Sequence, residues 1–298
     1  MANRLPREKQ LACLQHLVEG NTIRSTERLL GVHRDTIMRL MVRFGTACQT
    51  MMDQRIRGLT VDKIEIDETW TFCGRKNRTL NPNEKLERYD LGDQYLWVAL
   101  EADTKLVISH IVGKRSGDNA RRLIRDLSER LVFPTPHEAD LHGYRPICQI
   151  TTDMYIVYPE AIDQFFGPYV KYGQVRKDYR SHDMPGRYTP AEIVGTQRKG
   201  IFNIEGDELY GLSTSYVERF NLTNRVLQKR FTRLSLGFSK KLDNLKAACS
   251  MFMGYYNFVW RTRKPGKSGR YRPPAAMMAG VTSRLWSFED LYDEAMAA

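Results

Sequence analysis

Three acidic side chains are the residues best suited to chemistry in this 298-residue sequence. Asp67 lies in the segment VDKIEIDETW, Asp153 ends the segment ICQITTD, and Glu218 lies in STSYVERFNLTNRVLQKRF. Cleaving a phosphodiester without a covalent intermediate requires a hydroxide and a neutralised leaving oxygen, and two metal ions about 3.5–4 Å apart supply both. Mg²⁺ prefers carboxylate oxygens, water and substrate phosphate as ligands. We therefore expect these three acids to be catalytic and to bind two Mg²⁺ ions, for which Mn²⁺ can substitute.

Each acid taken alone also fits an ordinary role, because single acids on strands and helices are usually surface charges or caps. The three acids differ, however, in the type of element on which they are predicted to lie. Ile64 and Ile66 alternate with acids, and this period of two predicts a strand that carries Asp67 on the face opposite its apolar side chains. Asp153 follows an apolar run, at the strand end where open α/β sheets place their active sites. We predict that both converge with Glu218 on a helix.

The elements between these acids alternate between strand and helix signals over residues 60–260. The segments YLWVAL and LVISHIVG, joined by EADTK, predict a hairpin, and DNARRLIRDLSERL predicts a helix with Asp118 as its N-cap. The strand ICQITTD and a helix around YPEAIDQFF follow. Strand, hairpin, helix, strand, helix is a mixed α/β order. It is the order expected of a ribonuclease-H-like catalytic core.

Residues 1–55 show helical patterns only. LACLQHLVEG predicts an amphipathic helix, STERLLG a second one beginning at Ser25, and VHRDTIMRLMVRFG a third one after a tight turn. This layout is typical of an N-terminal all-α helix-turn-helix domain, whose last helix would present Arg34, Thr36 and Arg39 to DNA. An ordinary three-helix bundle with a solvated face is the alternative.

The charge of the chain favours a polyanionic partner, since Lys and Arg outnumber Asp and Glu by 46 to 35 and the net charge is +11. A merely basic enzyme would show the same excess. Basic residues concentrate after residue 260, where RTRKPGKSGRYRPP predicts an arm within residues 261–298. A second group of polar and basic residues follows Glu218 at helical spacing, and its members are Asn221, Arg225, Lys229 and Arg233. This spacing predicts a DNA-contacting helix face or, alternatively, a solvated one.

No apolar stretch approaches the roughly 20 residues that a membrane span needs, and charges interrupt the N-terminal segment where a signal peptide would have its core. The five cysteines are scattered without any CxxC pair, which fits a reducing compartment. The aromatic residues that follow Leu245 could stack on bases, but their density favours a packed core. We expect a cytoplasmic, DNA-associated protein.

The segments around the three acids resemble the insertion-sequence-one family of DDE transposases. The likeness rests on IDETWTF around Asp67, on ITTD ending in Asp153, and above all on residues 213–260, with PPAAMMAGVTSRLWSFEDL adding a C-terminal match. The resemblance implies a bacterial transposase that binds the terminal inverted repeats of its element and carries out metal-dependent strand cleavage and strand transfer. It also implies two DNA partners, transposon ends and target, bridged by a homodimer or a higher assembly.

Two departures from the family pattern affect DNA recognition. The sequence shows no Cys-rich zinc module before the helix-turn-helix, so recognition of the ends would depend on residues 1–55 and on basic surfaces. The stretch between Asp153 and Glu218 is long, and GQVRKDYRSHDMPGRYTPAEIVGTQRKG within it suggests a basic insertion over the site. Two other functions remain open: a non-catalytic domesticated DNA-binding regulator, and a ribonuclease-H-like nuclease with no part in transposition.

Overall fold

The computed structural model describes residues 5–180, 192–232, 235–263 and 269–298, without the side chains of residues 139, 140 and 142. Within these ranges, helices occupy both ends of the chain and six strands lie between them. The elements are α1 (Arg7–Val18), α2 (Ile23–Leu30), α3 (Arg34–Arg55), β1 (Lys63–Cys73), α4 (Pro82–Glu87), β2 (Gly92–Glu101), β3 (Val107–Gly113), α5 (Gly117–Ser128), α6 (Pro136–His142), β4 (Cys148–Thr152), α7 (Tyr158–Phe166), β5 (Val170–Arg180), β6 (Glu192–Phe202), α8 (Ser215–Leu227), α9 (Leu242–Phe258), α10 (Ala275–Met278) and α11 (Phe288–Ala297).

The strands form one mixed sheet in the order β3-β2-β1-β4-β5-β6. The pairs β1–β2, β2–β3 and β5–β6 are antiparallel, whereas β4 runs parallel to both β1 and β5. The expected hairpin is confirmed as β2 and β3, and the expected strand and helix around Asp153 are confirmed as β4 and α7. The mixed α/β architecture predicted for this part of the chain is therefore present.

Helices cover both faces of β1, and this placement follows from the alternation of its side chains. Residues 65, 67 and 71 point toward α8 and the segment after it, because their side chains bond to residues 216, 221 and 230. Glu68 points to the opposite face, where it meets Tyr158 of α7. The acids on this covered strand each find a polar partner, as buried charged groups require.

The starts of two helices, α2 and α5, differ from the prediction. The second helix begins at Ile23 rather than Ser25, because the side chain of Thr22 accepts the amide of Ser25 and caps the helix. Likewise α5 is capped by Ser116 and not by Asp118. The third helix, α3, is anchored by buried apolar side chains, among them Ile37, Leu40 and Met41.

The long helix α3 continues from Gly45, where the predicted third helix ends, to Arg55, and it packs closely against α9. Gly45 marks the closest approach: a Cβ added there would lie 2.0 Å from the carbonyl oxygen of Ala247. Arg130, buried after α5, pairs with Asp53 at the end of α3 and with Asp126 of α5. The ion pairs of buried Arg130 and the contact at Gly45 together tie α3 to the elements around the sheet.

The described parts of the basic stretch between Asp153 and Glu218 are strands, and one of them carries Lys177, which contacts Glu218. Residues 170–180 and 192–202 form the antiparallel pair β5–β6, which extends the sheet, while residues 181–191 lie outside the described residues. The helix that carries Glu218 is also shorter than predicted. It ends at Leu227, and Gln228 has an extended backbone.

The C-terminal segments complete the core. The aromatic and methionine side chains of α9 are buried, which confirms the packing interpretation over base stacking for this helix. Phe288 and Tyr292 of α11 contact the ring of Phe44 on α3. All five cysteines are buried and free, as expected. Among the described residues, no helix has both the length and the apolar character needed to cross a bilayer.

Candidate metal centre

Asp67 and Asp153 meet where β1 passes the end of β4. The parallel register pairs Glu65 with Thr151, and two further residues along each chain place Asp67 beside Asp153. Because β4 ends at Thr152, Asp153 lies just beyond the sheet, where its carboxylate is free of strand packing. Two of the three predicted catalytic acids are therefore neighbours in space although 86 residues separate them in sequence.

Glu68 is the third acid of this cluster, and the sequence analysis missed it. One carboxylate oxygen from each of Asp67, Glu68 and Asp153 lies within 4.8 Å of the others. Strand alternation sends Glu68 to the face opposite Asp67, so the pattern gave no reason to combine them. The sequence feature that could have indicated Glu68 is the position of Asp153 just after β4. A side chain beyond the end of a strand can approach side chains on both faces of the neighbouring strand β1.

A hydrogen-bond network fixes the orientation of these carboxylates. The hydroxyl of Tyr158 donates to Oε1 of Glu68 at 2.6 Å, and the amide of Tyr155 donates to Oδ1 of Asp153 at 3.0 Å. Arg115, in the loop between β3 and α5, then bridges the remaining oxygens. Its Nη2 lies 3.0 Å from Oδ2 of Asp153 and 3.5 Å from Oε2 of Glu68.

Glu218, the third predicted acid, lies in the first turn of α8, close to this cluster but not within it. Its Oε1 accepts hydrogen bonds from Nζ of Lys177 at 2.5 Å and from Oγ1 of Thr214 at 2.8 Å. Its negative charge nevertheless raises the pKa of Asp67, which shows that the two carboxylates are near one another. Lys177, on β5, is a second site residue that the sequence analysis did not identify.

Asn221 connects the helix of Glu218 to Asp67. Its Nδ2 donates to Oδ2 of Asp67 at 2.7 Å, and the side chain is buried. Asn221, predicted from the sequence as one of a row of phosphate contacts, is instead buried against Asp67. Its Oδ1 is buried without a hydrogen-bond partner among the described residues. A buried orphan acceptor beside a carboxylate is a feature that a bound cation or water would satisfy.

Burial and mutual repulsion make two of the acids hard to ionise. Burial raises the pKa of Asp67 to about 7, with further increases from the charges of Asp153 and Glu218. Burial also raises the pKa of Glu68 to about 7, and the nearby charge of Asp153 adds to the effect. A divalent cation would remove this repulsion, because it favours the ionised form of each ligand.

The donor set fits hard divalent cations. Every candidate ligand is an oxygen, which suits Mg²⁺ or Mn²⁺ rather than softer metals. Four carboxylates (Asp67, Glu68, Asp153 and Glu218) face the two cations Arg115 and Lys177. The site therefore carries an excess of two negative charges when all four acids are ionised. The orphan oxygen of Asn221 adds a further acceptor at the same place.

The residues predicted to bind DNA lie in three settings. Arg34 and Arg39 are exposed at the start of α3, and Thr36 between them is half-buried. Arg225 is half-buried on α8, whereas Lys229 is exposed beyond the end of that helix and so does not continue its face. Arg233 lies outside the described residues. A cavity of about 450 Å³ lies away from these residues, lined mostly by apolar side chains just before β1 and at the start of β4.

Comparison with known proteins gives structural matches only. No protein-family model and no curated protein matches the chain. The chain is similar to "Mos1 transposase paired-end complex with left transposon end", at 12% identity over 58% of this chain and 60% of that chain, with a TM-score of 0.21. It is also similar to "Crystal structure of the Mos1 Strand Transfer Complex", at 15% identity over the same shares, with a TM-score of 0.22.

The chain spans about 60% of the length of these transposase chains. TM-scores near 0.2 do not establish a common fold. The function of the chain is therefore inferred from its own side chains.

Proposed function

We propose that the chain is a DNA transposase with a ribonuclease-H-like core, which cleaves transposon ends and transfers strands with divalent metal ions. One observation carries the proposal: Asp67 and Asp153 lie side by side at the open end of β4, with Glu68 within 4.8 Å. The sheet order with β1 central, one antiparallel hairpin on one side and parallel β4 on the other, supports the ribonuclease-H-like assignment.

Asp67 and Asp153, with Glu218 from α8, are the proposed metal ligands, and Glu68 is close enough to take part. Bound Mg²⁺ or Mn²⁺ would supply a hydroxide nucleophile and neutralise the charge that develops on the leaving oxygen. The protein residues do the positioning. Asn221 orients Asp67, and the amide of Tyr155 orients Asp153.

Arg115 and Lys177 have two roles in this proposal: they pair with carboxylates of the site, and they bind phosphates once metal is present. Each pairs with a carboxylate of the site, Arg115 with Asp153 and Lys177 with Glu218. A cation bound to these carboxylates would compete with both side chains, since it carries more charge and binds the same oxygens. Arg115 and Lys177 would then be available to bind the phosphates that flank the scissile bond.

DNA recognition is assigned to the N-terminal helices, as a helix-turn-helix formed by α2 and α3. Arg34 and Arg39 are exposed at the start of α3, with Thr36 between them, and this exposure supports the proposal that they contact a major groove or its phosphates. Arg225 and Lys229 are proposed phosphate contacts nearer the acidic cluster, and Arg233 is proposed from sequence alone. The full complex would contain two copies, because joining two transposon ends requires two catalytic centres.

Cleavage of a plasmid that carries the inverted repeats flanking the gene tests the proposal. The wild-type protein should nick at the repeat ends in Mg²⁺ or Mn²⁺ and should be inactive in chelator. Asp67→Asn and Asp153→Asn should abolish nicking and retain binding of the repeats. Asp118→Asn is the matched control, because Asp118 is an exposed acid on α5.

The alternatives predict different results. A domesticated regulator would bind DNA without cleaving it under any of these conditions. A nuclease unrelated to transposition would cleave plasmids with and without the repeats equally well. Cleavage that persists in chelator, or in both aspartate variants, would exclude the metal-dependent chemistry proposed here.

A further inference from the structure

Glu65 makes an unusual contact with the helix that carries Glu218. Its Oε2 accepts the backbone amides of Tyr216 at 2.7 Å and of Val217 at 2.8 Å, across 151 and 152 residues of sequence. These amides belong to the first turn of α8, where helix N–H groups have no partner within the helix. The residue before the helix, Thr214, provides no side-chain cap. Glu65 therefore serves as the N-cap of α8, although it lies on β1.

The contact is part of a polar seam between β1 and α8. Asp67 accepts from Asn221, and the hydroxyl of Thr71 donates to the carbonyl of Arg230 at 2.7 Å. Two residues of strand rise about 6.6–6.8 Å, and the four residues of helix from 217 to 221 rise about 6 Å. Because the two rises match, Glu65 and Asp67 meet successive turns of α8, whereas Thr71 meets the segment after the helix.

We propose that Glu65 is a positioning residue that sets where Glu218 stands relative to Asp67. Glu65 and Asp67 lie two residues apart on the same face of β1, and Glu218 directly follows Val217, one of the two residues that Glu65 holds. A shift of the first turn of α8 would therefore move Glu218 with it. This inference rests on the proposed function, in which Glu218 is a metal ligand.

Glu65 is buried, with only 3% of its surface exposed, so its oxygens have no solvent alternative to the helix amides. Glu65→Ala removes the carboxylate oxygen that accepts both amides and leaves these two N–H groups of the first turn unpaired. Glu65→Gln keeps one side-chain oxygen at the same position and should rescue most of the function.

Glu101 offers a matched control. It is equally buried on the neighbouring strand β2, and its carboxylate accepts the amides of Asp103 at 2.9 Å and of Thr104 at 2.5 Å. These amides belong to the turn between β2 and β3, not to α8. Glu101→Ala thus removes the same kind of contact and tests whether general destabilisation explains the result.

Two measurements test the proposal without relying on cleavage. Hydrogen exchange in chelator reports on the amides of Tyr216 and Val217, and titration with Mn²⁺ alone, followed by electron paramagnetic resonance, reports on metal affinity. In Glu65→Ala we expect both amides to exchange about tenfold faster or more. We expect Mn²⁺ affinity to fall by about 10–100-fold, as is typical when a residue that orients metal ligands is removed.

Glu65→Gln should stay within about threefold of wild type in both measurements, because it retains an acceptor, and Glu101→Ala should change neither. The proposal is overturned if Glu65→Ala leaves Mn²⁺ affinity unchanged, or if Glu101→Ala weakens it equally. Failure of the proposed function gives a different result: wild-type protein that binds Mn²⁺ but does not cleave the repeat-bearing plasmid.

Discussion

His110 on β3 should make the stability of the protein depend on pH. The ring is buried, and its Nε2 lies 3.1 Å from the hydroxyl of Ser250 on α9. That hydroxyl donates to Gln49 of α3 at 2.8 Å. Neutral His110 can therefore donate through Nε2 and complete a chain that connects three elements. A protonated ring would place a charge in the same buried position.

Burial lowers the pKa of His110 to about 4, from an ordinary value of 6.5. The positive charge of Arg130 lowers the pKa further, while Asp53 and Asp126 oppose this in part. Since the folded pKa lies below the unfolded one, the unfolded chain binds more protons between these values. Stability from this group is therefore complete above about pH 6.5 and decreases as the pH falls toward 4.

The magnitude follows from the two pKa values. A shift of 2.5 units corresponds to about 3.4 kcal/mol at the low-pH limit, and to about 2 kcal/mol at pH 5. Urea denaturation of wild type and of His110→Gln at about pH 5 and 7.5 measures this effect. We expect the wild-type free energy of unfolding to fall by about 2 kcal/mol more than that of the variant over this interval.

Comparing wild type with His110→Gln removes the contribution of all other titrating groups, including the acids of the metal centre. His137→Gln provides the control, because His137 is exposed on α6. It should follow the wild-type pH dependence. If His110→Gln also follows it, the burial argument for His110 is wrong.

Three further predictions concern packing, the acidic cluster and DNA binding. Gly45→Ala should lower the free energy of unfolding by about 1–3 kcal/mol in urea, because the added methyl would overlap the carbonyl of Ala247; an unchanged value would contradict the close approach of α3 and α9. Asp67→Asn should raise stability in chelator at pH 8 by up to about 4 kcal/mol, since ionising a group whose folded pKa is about 7 rather than 3.8 destabilises the fold above that pH; a loss of stability would refute the raised pKa of Asp67. Arg34→Ala and Arg39→Ala should each weaken binding to the terminal repeats, and each should reduce the salt dependence by about one unit of slope if it contacts a phosphate; repeat affinity that is unchanged in both variants would exclude α3 as the DNA-contacting helix.

The parts of the fold that could be predicted depend on local pattern. Alternation around Ile64 and Ile66 predicts β1, and the apolar run ending in Asp153 predicts β4. The hairpin of β2 and β3 follows from two apolar runs and a short turn. In each case the information lies within about ten residues, the range over which side-chain periodicity acts.

The parts that were missed depend on contacts between distant segments. The sequence does not predict strands β5 and β6, because their charged residues follow no clear alternation and β6 is exposed along most of its length. It also predicts that α8 continues past Leu227, because nothing from Gln228 to Arg230 breaks a helix. In the structure the carbonyl of Arg230 accepts the hydroxyl of Thr71 on β1, a bond that holds this segment against the sheet.

The acidic cluster also divides into residues that local pattern predicts and residues that depend on contacts between distant segments. Asp67 and Asp153 could be proposed from strand and strand end, but Glu65 and Glu68 could not be assigned from strand periodicity alone. Strand periodicity indicates which face a side chain occupies, but it does not indicate which residues cover that face. Glu65 is buried because the amides of α8 provide partners, and Glu68 is buried because the hydroxyl of Tyr158 does. An acid within a buried strand is therefore evidence for a polar partner elsewhere in the chain, since without one the fold would not tolerate it. In this protein the partners of Glu65 belong to the helix that carries Glu218, so the burial of one acid accounts for the approach of another to the site.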